Sequence, residues 1–319
     1  MSPTREQRVE TALFRGASLT LANTAYAEAL RGFLDALLQM DAASEDSTVR
    51  ALGLRDRRGS AAVVAREGGV VAGLTELNFL LGRGGVQVEL RKQDGDVVQP
   101  DDVLLVAEGT ESKLLALERV GLNLLQRMSG IATTSRCLQE RLRSRSFPTK
   151  VVGTRKTLWG LLDKRALHLG SGGTHRLSLA DAILVKNNHL ALLRGREEDA
   201  APPAIERAWK RRGDSAFIEV EVRSEAGARA AAQAFRRLRQ DGGGDYPCLV
   251  MLDNTSPEET GAIIEMLRRE DLWDDTLVEA SGRISEASLE AYAEAGVDAV
   301  SMGALTHSAR ALDISQKVS

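Results

Sequence analysis

Between Gly153 and His189 the chain reads GTRKTLWGLLDKRALHLGSGGTHRLSLADAILVKNNH, and this stretch gathers five cationic or cationisable side chains: Arg155, Lys156, His175, Arg176 and Lys186. A guanidinium grips a carboxylate through two parallel N–H bonds, while an ammonium meets a phosphate as a point charge. These residues sit beside apparent strand ends and glycine turns, where side chains can converge. A pocket for a small polyanion is the chemistry they suggest. Further along, Glu221 and Asp253 end two apolar runs, and Ser281–Gly282 and Ser301–Gly303 fall in strand-to-helix turns. Backbone N–H groups in such turns suit a phosphate, helped by the helix N-terminus that follows.

The elements that must position these groups form a β/α rhythm. Strand candidates are Lys150–Gly153, Ala182–Lys186, Phe217–Val222, Cys248–Leu252, Leu277–Ala280 and Ala299–Met302. Helical segments are expected at Pro203–Arg212, Glu225–Arg239, Pro257–Arg269 and Glu286–Ala295. Ser256, Pro257 and Glu259 make a capping box with proline in the first turn. Alternating strands and helices imply a parallel sheet, and the pattern leaves open whether it is a short barrel or a doubly wound sheet. In a barrel, all the polar residues named above would open on the face where active sites are built. Glu219 and Glu221 alternate by two and so share one side of a strand, with Glu221 nearer the exit and Glu219 expected as an exposed, salt-bridging carboxylate.

The first third has a different texture. Leu30, Phe33, Leu34, Leu37 and Leu38 mark the buried stripe of a helix over Asn23–Asp41. Short β-rich pieces (AAVVA, GVVAG, VQVEL, VLLVAEG) follow, with turns at QDGD and QPDD, which predicts a small, mostly antiparallel sheet packed on that helix. Lys113–Arg143 reads as one long linking helix. At 319 residues the chain has room for two domains, and 43% apolar content supports a real core. A net charge of −3 argues against a general nucleic-acid binder. Cys137 and Cys248 stand far apart without a CxxC, which argues against a disulfide scaffold or structural zinc. The charged start MSPTREQRVE is no secretory signal, and there is no apolar run of membrane-spanning length, so a cytoplasmic protein is expected.

Several motifs in order resemble quinolinate phosphoribosyltransferases, also called nicotinate-nucleotide pyrophosphorylases. ERVGLNLLQRMSGIAT (Glu118–Thr133) is similar to the family's linker helix. GTRKT (Gly153–Thr157), GGTHR (Gly172–Arg176) and DAILVKNNH (Asp181–His189) are similar to its central motifs. EVEV (Glu219–Val222), MLDN (Met251–Asn254), EASG (Glu279–Gly282) and SMGALTHSARALDISQKV (Ser301–Val318) complete the run. The resemblance implies an N-terminal α/β sandwich domain over 1–118, joined by the C-terminal segment 305–319. It also implies an incomplete, about six-stranded TIM-like α/β barrel over 119–304. The implied reaction joins quinolinate to phosphoribosyl pyrophosphate, giving nicotinate mononucleotide, CO2 and pyrophosphate with Mg²⁺, in NAD synthesis. A homodimer or higher oligomer with shared active sites is implied as well.

On the matching positions, Arg155, His175 and Arg176 correspond to carboxylate binders, Lys156 and Lys186 to pocket lysines, and Arg119 to an arginine delivered by the other subunit. Glu221 and Asp253 would stabilise an oxocarbenium-like ribosyl centre, hold ribose hydroxyls and order a Mg²⁺ bound mainly by pyrophosphate and water. Ser281, Gly282, Ser301 and Gly303 would take the 5′-phosphate. His168, His189 and His307 have weaker claims. The sequence departs from the family pattern in four places: a segment about two residues short between GTRKT and HR; Trp159 for a common proline, with no arginine at Leu161–Leu162; Asn187 for an aspartate; and Arg283 for a glycine. A transferase for another heterocyclic acid and a non-catalytic anion-binding relative remain as alternatives.

Overall fold

The computed structural model describes residues 3–41, 46–54, 57–193 and 195–318. It divides into two compact units, one of residues 17–137, 157–171 and 305–319, the other of residues 1–16, 138–156 and 172–304. No described helix is long and apolar enough to cross a membrane.

The first unit carries β1 (Arg58–Ala65), β2 (Gly69–Val70), β3 (Gln87–Leu90), β4 (Val97–Val98) and β5 (Val103–Thr110). The second carries β6 (Lys150–Val152), β7 (Ile183–Val185), β8 (Ile218–Val222), β9 (Cys248–Asp253), β10 (Leu277–Ser281) and β11 (Ala299–Ser301). β12 (Ile314–Val318) belongs to the first unit and lies antiparallel to β1, so that its sheet runs β12-β1-β5-β3, with β2 and β4 paired apart. The expected antiparallel sheet is therefore present, with an edge strand supplied by the chain's last residues.

Helix Thr24–Met40 opens on Asn23, whose side-chain oxygen accepts the N–H groups of Ala25 and Tyr26. Tyr26, Leu30 and Leu34 are its fully buried stripe, narrower than the periodicity predicted, with Phe33, Leu37 and Leu38 half-buried. Tyr26 joins the stripe because its hydroxyl donates to the buried Glu76 at 2.7 Å. The long helix spans Glu111–Ser144.

In the second unit the six strands are all parallel, in the order β6-β11-β10-β9-β8-β7. The barrel is not closed: among the described residues no strand pairs with the outer edge of β6, where Gly153 N–H donates to the Gly173 carbonyl, Gly173 N–H to that of Val151, and Val151 N–H to the Gln139 side chain. Gly173 is required there, because a Cβ would lie 2.4 Å from Val152. Helix Arg5–Leu13 seals the sheet with Val9, Ala12 and Leu13 against Phe217, Leu249, Leu277 and Ala299. Its Arg5 clamps Asp298 with two 2.6 Å bonds.

The helix expected from Pro203 begins at Glu197 instead and runs to Lys210 with Pro202 and Pro203 inside it. Glu197, Glu198 and Asp199 in its first turn complement the helix dipole and outweigh the proline signal. The capping box at Ser256 and Glu259 forms as expected.

Candidate active site

Alternation along the parallel strands decides what faces the interior. Glu219 and Glu221 on β8, Met251 and Asp253 on β9, and Glu279 and Ser281 on β10 share that side, in register as Glu221 beside Met251 beside Glu279 and Asp253 beside Ser281. At the C-terminal ends the exits open into a cavity of about 350 Å³. It is lined by Thr154, Arg155, Lys156, His175, Arg176, Leu184, Lys186, Glu221, Met251, Asp253, Asn254, Glu279, Ser281, Gly282, Arg283 and Ser301. That size is ordinary for a small-molecule site. Of the residues given a catalytic or substrate-binding role from sequence, Gly303 lies off this lining and Arg119 belongs to the other unit.

Five cations reach the cavity. Arg176 is buried, and burial followed by the neighbouring Arg155 pulls its pKa down from the usual guanidinium value. Lys186 ends β7 with its ammonium 3.6 Å from Glu221, and the Asn187 N–H donates to the same carboxylate at 3.3 Å. His189 does not point to a ligand: its Nδ1 accepts the Lys186 N–H at 2.8 Å and caps helix Asn187–Leu192.

Asp253 is engaged by Arg223, whose Nε and Nη2 donate to Oδ2 at 3.0 and 2.8 Å. Arg223 leaves β8 through a turn that Glu197 fixes by accepting the N–H groups of Arg223 and Ser224 and the Ser224 hydroxyl. The exits of β9 and β10 interlock. Asn254 N–H donates to the Ser281 carbonyl at 2.8 Å, and Gly282, at φ +104°, sits so close that a Cβ would lie 2.6–2.7 Å from Asn254. Arg283 follows in the left-handed region at φ +49°.

One expectation needs correction: Glu219, expected exposed, has no solvent exposure at all. His175, expected among the carboxylate binders, lines the cavity with Nε2 turned toward two buried carboxylates. Its Nδ1 accepts the Arg176 N–H at 2.7 Å, and Nε2 lies 2.9 Å from Glu219 and 3.4 Å from Glu279. A left-handed backbone at φ +54°, with Phe217 edge-on to the ring, holds it there. Glu279 and Arg223 were missed from sequence; Glu279 lies two residues before Ser281, the same spacing that paired Glu219 with Glu221.

Residues 46–129 match the family model for the N-terminal domain of quinolinate phosphoribosyl transferase, and residues 131–317 match that for its C-terminal domain. The chain belongs to the quinolinate phosphoribosyl transferase family. A probable nicotinate-nucleotide pyrophosphorylase [carboxylating] of Methanothermobacter thermautotrophicus is 37% identical over 284 residues, covering 88% of this chain and 96% of that one. The nicotinate-nucleotide pyrophosphorylase [carboxylating] of Mycobacterium leprae is 37% identical over 258 residues, covering 79% and 84%. The structure of the nicotinate-nucleotide pyrophosphorylase from Francisella tularensis superposes with a TM-score of 0.78 at 27% identity, over 92% of this chain and 96% of that one.

Against the quinolinate phosphoribosyl transferase pattern, Trp159 is built into the first unit. Its ring lies 5.0 Å from that of Phe33, tilted by 53°, and the Arg127 guanidinium lies 5.0 Å over it. Asp163 locks this corner, taking two bonds from Arg127 and the N–H groups of Leu158 and Trp159. Arg119 in the same unit is more than half exposed, 3.9 Å from Glu118, in a hollow with Leu37, Met40, Asp41, Val120, Asn123 and Trp159.

Proposed function

We infer that the chain transfers the phosphoribosyl group of phosphoribosyl pyrophosphate to quinolinate, with loss of CO2 and pyrophosphate, to give nicotinate mononucleotide for NAD synthesis. The observation that carries this is one cavity lined by Arg155, Lys156, Arg176 and Lys186 together with the carboxylates of Glu221 and Asp253. Quinolinate has two adjacent carboxylates, and each needs a charge-assisted partner once it leaves water. Arg155 and Arg176 clamp them and aim the ring nitrogen at the anomeric carbon, so most of the catalysis is positional. Glu221 and Asp253 stabilise the positive charge that grows at that carbon and hold the ribose hydroxyls. Lys156 and Lys186 offset charge on the phosphates, and the turns at Ser281–Gly282 and Ser301 receive the 5′-phosphate. Alkylation of the ring nitrogen then makes the neighbouring carboxylate leave as CO2.

The reading extends to Mg²⁺, to a homodimer whose partner supplies Arg119, and to a cytoplasmic setting. Glu221 and Asp253 face Lys186 and Arg223 rather than forming an open cage, which suits an ion that keeps its waters and the pyrophosphate oxygens as ligands. When bound, Mg²⁺ would neutralise charge on the departing pyrophosphate.

Turnover with quinolinate and phosphoribosyl pyrophosphate, followed by pyrophosphate and CO2 release and repeated with nicotinate, tests the assignment. Faster turnover of nicotinate would transfer it to another heterocyclic acid. Calorimetric binding of quinolinate without any turnover would make the chain a binding protein.

A further inference from the structure

Beneath the cations lies a cluster that the steps above leave without work. His175, Glu219 and Glu279 bring their nitrogen and carboxylate oxygens within 4.8 Å of one another. The three residues are 5%, 0% and 0% exposed, and among the described residues the four carboxylate oxygens have no polar partner beyond His175 Nε2, 2.9 Å from Glu219 and 3.4 Å from Glu279. Two carboxylates this close and this dry cannot both stay ionised, so the cluster binds a proton beyond the one on the ring. A divalent ion fits the donor set poorly. It would need the Nε2 lone pair, whereas the Arg176 N–H donated to Nδ1 at 2.7 Å puts the ring proton on Nε2, facing the acids. Charge and burial agree with this. Burial and then Glu279 push Glu219 up to about 7, while Glu279 and Glu219 more than offset the opposing effect of burial on His175 and raise it to about 9.

We propose that the His175–Glu219–Glu279 cluster is the proton donor of the decarboxylation, delivering its proton through Glu279 to the pyridine carbon that loses CO2. The bond from ring carbon 2 to its carboxylate breaks, CO2 leaves, and the electron pair stays on carbon 2 beside the alkylated nitrogen. That pair takes the proton from Glu279 and a C–H bond forms. Glu279 is left as the carboxylate, to be refilled through His175 and Glu219 and finally from water. Without a donor in place, the pair recaptures CO2. Glu279 fits the role because, of the two acids, it alone is part of the cavity lining, while His175 has Nδ1 bonded to the Arg176 N–H and Nε2 turned to the acids. Glu219 and His175 are positioning residues.

The proposal rests on the decarboxylating reading, and the experiment separates the two. Run backwards, the same transfer removes the ring C2 proton of nicotinate mononucleotide. The unaltered protein held with that nucleotide in D2O is expected to wash out its C2–H resonance in NMR, and Glu279→Gln to slow this by at least about a hundred-fold. With quinolinate and phosphoribosyl pyrophosphate, the same variant is expected to lose formation of nicotinate mononucleotide far more than release of pyrophosphate, so the undecarboxylated nucleotide builds up. Glu279→Asp, which keeps an acid, should restore part of the exchange. Exchange no faster than without protein sinks the proposal, and that measurement needs no variant to fold. Equal loss of pyrophosphate and product in Glu279→Gln sinks it too, as does a stoichiometric divalent ion that survives dialysis and disappears in that variant. An unaltered protein that releases no pyrophosphate with quinolinate sinks the substrate reading along with it.

Discussion

Burial, and after it the charge of Arg155, lowers the pKa of Arg176, and an anion bound in the cavity that both line would offset each effect. Arg155→Ala should therefore weaken quinolinate by about 1.5–3 kcal/mol, roughly ten- to a hundred-fold. Calorimetry with each substrate checks this, since an equal loss for phosphoribosyl pyrophosphate would place Arg155 on the phosphates instead. Arg223 and Asp253 are a different case. The Arg223 side chain is 60% exposed, so its ion pair is worth at most about 1 kcal/mol, and Arg223→Ala should raise the KM for phosphoribosyl pyrophosphate no more than about five-fold. Asp253→Asn removes charge from the reacting centre itself and should lower kcat. Much of this residue-level picture was legible in sequence, because strand exits in parallel sheets are where polar side chains converge. Glu219 was misjudged since a carboxylate in a strand reads as solvated unless its buried partners are known. The commitments of His175 depend on its own left-handed backbone and on strands more than forty residues away, which no local pattern records.

At the scale of elements, the exits of β9 and β10 act as one piece. Gly282 holds φ +104° with the side chain and the backbone nitrogen of Asn254 pressed against it, and that nitrogen, unlike the side chain, cannot swing aside. Gly282→Ala should open that joint at a cost of about 1–3 kcal/mol, lowering Tm and raising the KM for phosphoribosyl pyrophosphate while quinolinate affinity holds. An unchanged KM would show that the turn is structural only. The six-strand rhythm and the Ser256 capping box could be read from sequence because period and cap chemistry are local. The start of helix Glu197–Lys210 could not, since it depends on weighing three acids against two prolines. The bridge from Gly173 to β6 is a tertiary pairing with no periodic signature.

At the scale of the whole molecule, the buried cluster ties stability to pH. Folding raises Glu219 from its ordinary 4.5 to about 7 and His175 from 6.5 to about 9. The folded chain thus binds more protons than the unfolded one between those limits. This contribution is full below the ordinary values and is lost as pH climbs through about 7 and then about 9. Arg176 opposes the uptake and Glu279 favours it. Denaturant titrations should give a lower unfolding free energy at pH 9 than at pH 6.5, with a flatter slope in Glu219→Gln. Assembly is the other property of this scale. If a partner's Arg119 completes each site, Arg119→Ala and Arg155→Ala are each slow at quinolinate well below KM for want of one group, and the two defects sit on different sides of the shared site. Mixing them after reversible dissociation makes half the dimers hybrid, and each hybrid holds one site with both arginines and one with neither. Activity at that low quinolinate should therefore return to about a quarter of the unaltered level. Mixtures that stay as slow as their parents would mean that Arg119 serves its own chain, or none.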